Sequence, residues 1–361
     1  MRVGLELTGL ELDASGSARA ITALRFELER RPEIELTELR QPGGAAGRGR
    51  IGRGLRRELL YLPVRLPRRA RRLGLDVLHC PVPLAPLRSR VPLVVTAHDA
   101  IAWDRPEWLT RVNAVHGRAV VGPALRRAAA VLTPSEHARS RLVARAGLDP
   151  DRVYVAPWGI SPRFSPGPRP DALLQGLGVP GPYLLTVGTL QPRKNIEALV
   201  QAFERLAEGG APHHLVVVGA RGWLDDALVG LLRSSALAER IHVTGRVSDD
   251  DLVRLYRGTE CFAFPSRYEG FGFPPLEAMA CGAPVVSSDR TSLPEAVGDA
   301  ALTVDPDDAD ALERAIGEVL GSPARRAELA ARGPQRAAGF TWSRCAERCA
   351  AAYRRAIEGQ G

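Results

Sequence analysis

Short apolar runs rich in β-branched residues alternate with helix-period stretches along almost the whole chain, and the series starts over near its middle. Strand-like runs fall at Val3–Leu7, Ile34–Leu39, Asp76–His79, Leu93–Thr96, Ala130–Thr133 and Val153–Ala156, with helical patterns at Ala18–Arg30, Val112–Ala128 and Glu136–Ala146. The second series has strands at Tyr183–Val187, His214–Val218, Ile241–Thr244, Cys261–Phe264, Pro284–Ser287 and Ala301–Val304. Its helices fit Ile196–Glu208, Asp225–Ala238, Asp249–Arg257, Pro275–Cys281 and Asp308–Leu320, and helical patterns at Ala324–Ala338 and Ser343–Ile357 close the chain. Alternation of this kind predicts an α/β fold with parallel sheets covered on both faces.

A length of 361 residues exceeds one ordinary core. Residues 158–182 hold six prolines and five glycines and read as an irregular connection. The expected division is a Rossmann-like domain at 1–160, a linker at 161–181, a second doubly wound Rossmann-like domain at 182–340, and a final helix at 341–361 crossing back to the first. Two such domains would face each other across a cleft. Ligands of open parallel sheets sit beyond the carboxyl ends of the strands.

The net charge of +8 raises the question of an anionic partner. Of 49 basic residues, 48 are arginine and one, Lys194, is lysine. Genome base composition accounts for such a skew, and it makes the one retained lysine informative. Aromatic residues are only 5% and do not interleave with the arginines except near Tyr61, which argues against nucleic acid as a partner. The first loop, TGLELDASGSA, lacks the Gly-x-Gly-x-x-Gly of a nicotinamide enzyme. Cys80, Cys261, Cys281, Cys345 and Cys349 show no paired spacing and read as reduced, partly buried thiols. No run of about 18 apolar residues occurs. The N-terminus, with Glu6, Glu11 and Asp13, does not read as a signal peptide. The localisation expected is cytoplasmic, with peripheral attachment to the inner face of the cell membrane left open.

Two stretches concentrate chemistry. In GTLQPRKN, Gly188 to Asn195, Pro192 and Asn195 suit the first positions of a helix, so Arg193 and Lys194 crowd a helix N-terminus. The dipole disfavours each cation there by roughly 0.3–1 kcal/mol, and a bound phosphate would reverse the penalty. In SRYEGFGFPPLEAMACG, Gly270 and Gly272 permit close backbone approach, Pro274 and Pro275 start a helix, and Glu277 falls in its first turn. Glu269 and Glu277 are thus displayed at one corner, where carboxylates accept paired hydrogen bonds from vicinal hydroxyls.

GTLQPRKNIEALVQAF, followed by RYEGFGFPPLEAMACGAPVVSSDRTSLPEAVGDAAL, resembles family 4 of the retaining glycosyltransferases, of GT-B fold, and in particular their bacterial mannosyltransferase-like branch. TPSEHARSRLVARAGLDPDRVYVAPWGI is similar to the end of that family's first domain. The resemblance implies transfer of a hexose from a nucleotide diphosphate sugar, GDP-mannose or another, to a hydroxyl of a glycan or lipid-linked acceptor, with neither metal nor cofactor. It implies that Arg193 and Lys194 bind the diphosphate, Glu269 the sugar and Glu277 the ribose. Gly188, Gly270, Phe271 and Gly272 would line the donor, and Arg246 and Val247 of the loop Gly245–Asp250 would lie against the base.

His98 and Asp99 follow a strand of the first domain, and the resemblance puts such a histidine at the donor sugar or reacting centre, as general base or positioning group. Gly16 and Arg19 stand where the family carries a glycine-rich loop on the acceptor side, with Ser15 and Ser17 replacing small residues. Residues 48–73 carry ten arginines and one acid, Glu58. They read either as a solvated helix face or as a surface for an anionic membrane. A basic nucleic-acid binder and a catalytically inactive sugar-nucleotide-binding protein are the competing readings.

Overall fold

The computed structural model describes residues 1–8, 16–41, 56–220, 230 and 235–359. The tract at 42–55, the loop residues Glu11 to Ser15 and most of the expected helix Asp225–Ala238 lie outside them. The chain forms two compact units, one of Met1–Gly159 with Thr341–Gly361 and one of Ile160–Phe340. Among the described residues no helix is long and apolar enough to cross a membrane.

The first unit is built on six strands, β1 (Arg2–Glu6), β2 (Glu35–Leu39), β3 (Val77–Cys80), β4 (Leu93–Thr96), β5 (Ala130–Thr133) and β6 (Val153–Val155). They run parallel in the order β2-β1-β3-β4-β5-β6. β3, β4 and β5 are buried along their whole length, as covering on both faces requires. Helix α1 (Gly16–Glu29) follows β1, and α2 (Glu136–Ala146), capped by Ser135, follows β5.

The second unit has β7 (Tyr183–Val187), β8 (His214–Val218), β9 (Ile241–Gly245), β10 (Cys261–Phe264), β11 (Val285–Ser288) and β12 (Leu302–Val304). They are all parallel, in the order β12-β11-β10-β7-β8-β9. Its helices are α3 (Ile196–Glu208), α4 (Asp249–Gly258), α5 (Phe273–Ala280), α6 (Ala309–Gly321) and α7 (Pro323–Ala337). On α3, Ile196, Leu199, Val200 and Phe203 fall on one face and are buried with Leu184, Leu215 and Ile316.

The last helix, α8 (Trp342–Glu358), belongs to the first unit. Its Tyr353 hydroxyl lies 2.7 Å from His79 Nδ1 on β3, and His79 Nε2 lies 2.8 Å from Thr96 Oγ1 on β4. Burial holds the His79 pKa down to about 3, so the ring is neutral.

Residues 161–181, expected as a linker, instead fold onto the second unit. Phe164 packs edge-on against Tyr256, the Arg257 guanidinium donates to Ser165, and a short helix at Asp171–Gly176 buries Leu174. Prolines and glycines here shape a packed surface strap, which composition alone does not separate from a free connection.

Candidate functional site

Read from its other edge, the second sheet runs β9-β8-β7-β10-β11-β12, the order 3-2-1-4-5-6 of the doubly wound nucleotide-binding fold, whose order reverses between the first and fourth strands. Those strands are β7 and β10. The loop leaving β7 holds Gly188 to Asn195, and the loop leaving β10 holds Ser266 to Gly272. The two stretches singled out in the sequence thus meet at the switch point.

They meet through one carboxylate. Glu269 Oε1 accepts from Lys194 Nζ at 2.5 Å, Arg193 Nη1 at 3.0 Å and Ser266 Oγ at 2.6 Å. Oε2 accepts no hydrogen bond among the described residues. Burial would raise the Glu269 pKa, but the charges of Arg193 and Lys194 and the Lys194 and Ser266 hydrogen bonds outweigh it and hold it at about 2. Burial brings Lys194 down to about 8 against the opposing pull of Glu269, with Arg193 adding to the fall. At neutral pH the carboxylate is ionised and the lysine protonated. Lys194 Nζ also lies 4.7 Å from the centre of the Phe264 ring.

This geometry corrects the sequence reading of the pair. Pro192–Lys194 form a single tight turn, Asn195 takes a left-handed conformation (φ 55°), and α3 begins only at Ile196. Asn195 is held there by its side-chain amide, which donates to the Pro306 carbonyl at 2.6 Å. Arg193 and Lys194 therefore precede the helix rather than crowd its first turn. The anion they require is already supplied in part by Glu269. Arg193 is further fixed through Nε to Gln191 Oε1 and Nη1 to the Tyr268 carbonyl. Gly188 is needed for close approach, since a Cβ there would lie 3.1 Å from Lys194 Cε.

The glutamates do not occupy equivalent positions. α5 starts at Phe273, with Gly272 preceding it at φ 121°. Glu277 is consequently the fifth helical residue, just past the first turn expected for it, and is 4% exposed. Its Oε2 accepts from the Tyr256 hydroxyl at 3.2 Å. Pro274 and Pro275 have no N–H, so backbone donors on this corner come from Gly270 to Phe273. Phe271 is buried, Arg246 is exposed and Val247 half-buried beyond β9.

Three residues the sequence reading passed over hold Glu269 in place. Ser266 donates to its side chain, Thr291 Oγ1 accepts its backbone N–H at 3.0 Å, and Ser292 Oγ donates to its carbonyl and to that of Phe271. Thr291 is itself left-handed (φ 57°), a costly state for a β-branched residue. Nothing local in TSLPE announces this, because the contact depends on the loop after β11 reaching the loop after β10.

In the first unit, the order β2-β1-β3-β4 reverses between β1 and β3. His98 lies over that point. Its Nε2 faces the Pro81 carbonyl at 3.1 Å and its Nδ1 the Ser17 hydroxyl at 3.4 Å. A carbonyl only accepts, so the ring proton is on Nε2 and the Nδ1 lone pair faces Ser17. Burial lowers the His98 pKa against the Pro81 carbonyl and Asp99, and the Trp158 ring stands edge-on at 5.0 Å. Asp99 Oδ1 accepts from the Ile101 N–H, a turn-capping role, while Gly16 opens α1 and Arg19 is exposed in its first turn.

Residues 16–164 match the family model described as Glycosyltransferase Family 4, and residues 175–336 match Glycosyl transferases group 1. The chain is 37% identical over 266 residues to an O-antigen chain mannosyltransferase B of Escherichia coli, covering 72% of this chain and 70% of that one. It is 30% identical over 239 residues to a serotype-specific mannosyltransferase, WbdA, of the same organism, covering 64% of this chain but 29% of that longer protein. Among solved structures, a sucrose-phosphate synthase of Thermosynechococcus elongatus superposes with a TM-score of 0.77 at 20% identity, covering 99% of this chain and 100% of that one. That likeness establishes the two-domain GT-B fold.

Proposed function

Because the chain belongs to glycosyltransferase family 4, we propose that it is a retaining hexosyltransferase that takes mannose from a nucleotide diphosphate sugar, GDP-mannose in the first instance. The observation that carries this reading is the arrangement of Arg193, Lys194 and Glu269 at the switch point of the second sheet. One carboxylate oxygen fixes both cations, and the other remains open to a hydroxyl. Mannose is favoured because the two Escherichia coli relatives described above are named mannosyltransferases.

In this reading Arg193 and Lys194 draw the donor diphosphate onto the loop after β7. As the bond from the anomeric carbon to the phosphate oxygen breaks, its electron pair goes to that oxygen, and the two cations stabilise the charge. This is the work a divalent metal does in other transferases, and the residues here supply it without one. Glu269 Oε2 accepts from sugar hydroxyls, and Glu277, oriented by Tyr256, accepts from the ribose. The acceptor hydroxyl, on a glycan or a lipid-linked glycan, attacks from the side the nucleotide leaves, either directly or after a short-lived covalent species. His98, neutral with its lone pair on Nδ1, acts as general base or positions a sugar.

The test is a panel of nucleotide sugars assayed for binding and slow hydrolysis with wild-type protein and Lys194→Ala. Binding of GDP-mannose that Lys194→Ala abolishes is the expected result. Binding of no nucleotide sugar, or a Lys194→Ala variant that binds and turns over like wild type, would defeat the proposal.

A further inference from the structure

Among the described residues eight large apolar side chains stand exposed, and five of them, Leu59, Leu60, Val112, Val115 and Val120, come from only two segments of the first unit. The first segment, the π-helical turn Arg57–Arg65, turns Arg57 inward, where it pairs with the buried Glu6 at 2.6 Å. Tyr61 and Leu62 are buried with it, while Leu59 is left 68% exposed. The second segment is a continuous helical run from Arg111 to Arg127. It buries Ala114, Val121 and Leu125 and leaves Val112 77% and Val115 65% exposed. The segments join where His116 Nε2 meets Glu58 Oε2 at 2.9 Å, so the residues beside that pair, Leu59 and Val115, belong to one patch.

Charge indicates what covers it. Apart from Arg57, which pairs inward with Glu6, residues 56–73 and 111–127 together contain ten arginines and a single carboxylate, Glu58, which is engaged by His116. An apolar protein partner would not require that surplus, and a nucleic acid would gain nothing from valines and leucines. An anionic bilayer uses both, taking apolar side chains into the boundary of the acyl chains while arginines reach the head groups.

We propose that Leu59, Leu60, Val112, Val115 and Val120, framed by Arg56 and Arg111, form a docking surface for an anionic lipid bilayer. The second helical run extends the surface beyond the basic stretch visible in the sequence. The inference is independent of donor chemistry, which resides in the second unit.

The experiment is flotation of the full chain with vesicles of phosphatidylcholine alone and of phosphatidylcholine with an equal part of phosphatidylglycerol, at low and high salt. Wild type floats with the anionic vesicles, less at high salt, and stays behind with the neutral ones. Val112→Asp with Val115→Asp lowers partitioning by about tenfold or more. Arg56→Gln and Arg111→Gln lower it by about fivefold each. Both sets keep the wild-type melting transition and donor hydrolysis, and Lys194→Ala floats like wild type. No flotation of wild type, equal flotation on neutral vesicles, or patch variants that float unchanged would overturn the proposal. So would a change in sedimenting mass in the Val112/Val115 variant without vesicle binding, which would make the patch a contact between copies.

Discussion

The Glu269 carboxylate gives the sharpest quantitative prediction. Replacing it by glutamine keeps the shape and an acceptor but removes the charge shared by Arg193, Lys194 and Ser266. A carboxyl whose pKa falls from 4.5 to about 2 on folding contributes about 3 kcal/mol to stability once pH is above its unfolded value. The contribution is lost as pH falls through the folded value. It agrees with the roughly 3–5 kcal/mol lost when one partner of a buried ion pair is deleted. Urea unfolding followed by circular dichroism should therefore place Glu269→Gln about 3 kcal/mol below wild type at about pH 7 and only about 1 kcal/mol below it at about pH 3. A gap of the same size at both pH values would show that packing, not charge, holds the corner, and no gap would remove the argument altogether. Lys194 adds a second signature. With the carboxylate gone, burial and Arg193 act unopposed and push its pKa below about 8. The native lysine then sheds its proton near neutrality while the unfolded one keeps it, so the variant gains stability with rising pH in a window where wild type is flat. A bound nucleoside diphosphate supplies the missing negative charge. GDP should stabilise the variant at least as much as wild type although sugar transfer is lost.

Other substitutions probe the scaffold. Lys194→Arg, the exchange the rest of the chain has accepted, forces a guanidinium between Gly188 and Phe264 and should cost about 1–3 kcal/mol, read as a lower melting temperature, together with donor affinity. Thr291→Ala keeps the left-handed strain and removes the acceptor of the Glu269 N–H, for a loss of about 1 kcal/mol. Thr291→Gly relieves that strain and should be near neutral in urea unfolding while lowering donor affinity, and equal stability of the two would refute the strain argument. Tyr353→Phe leaves His79 Nδ1 buried without its partner and should cost about 1–3 kcal/mol in thermal unfolding.

All twelve strands were readable because each is a short run bounded by a change of period, a purely local signal, which is cleanest in the central strands buried on both faces. The two loops of the proposed donor corner were readable for a related reason, since glycines, prolines and charges crowd into a few positions. What local sequence does not encode is which loops meet. The contact of Lys194 with Glu269 follows from β10 lying beside β7, a consequence of strand order. The sequence could pose the puzzle of two cations near a helix start but could not find the anion 75 positions away. The same limit hid Thr291 and Ser292. The misplaced first turn of α5 has a different origin. Two consecutive prolines mark a helix start to within a residue or two, and one position decides whether Glu277 points from the first turn or is buried against Tyr256. The single lysine was legible through composition, and the structure supplies its physical reason. The position is buried, faces an aromatic ring and abuts a glycine, so it admits a slender ammonium whose pKa the pocket pulls to about 8. Arginine remains charged in any such pocket and is too broad for this one. A group that burial brings near its point of neutrality against the pull of an internal carboxylate gains most from an arriving phosphate, so under the proposed function Lys194 is the residue most sensitive to the donor.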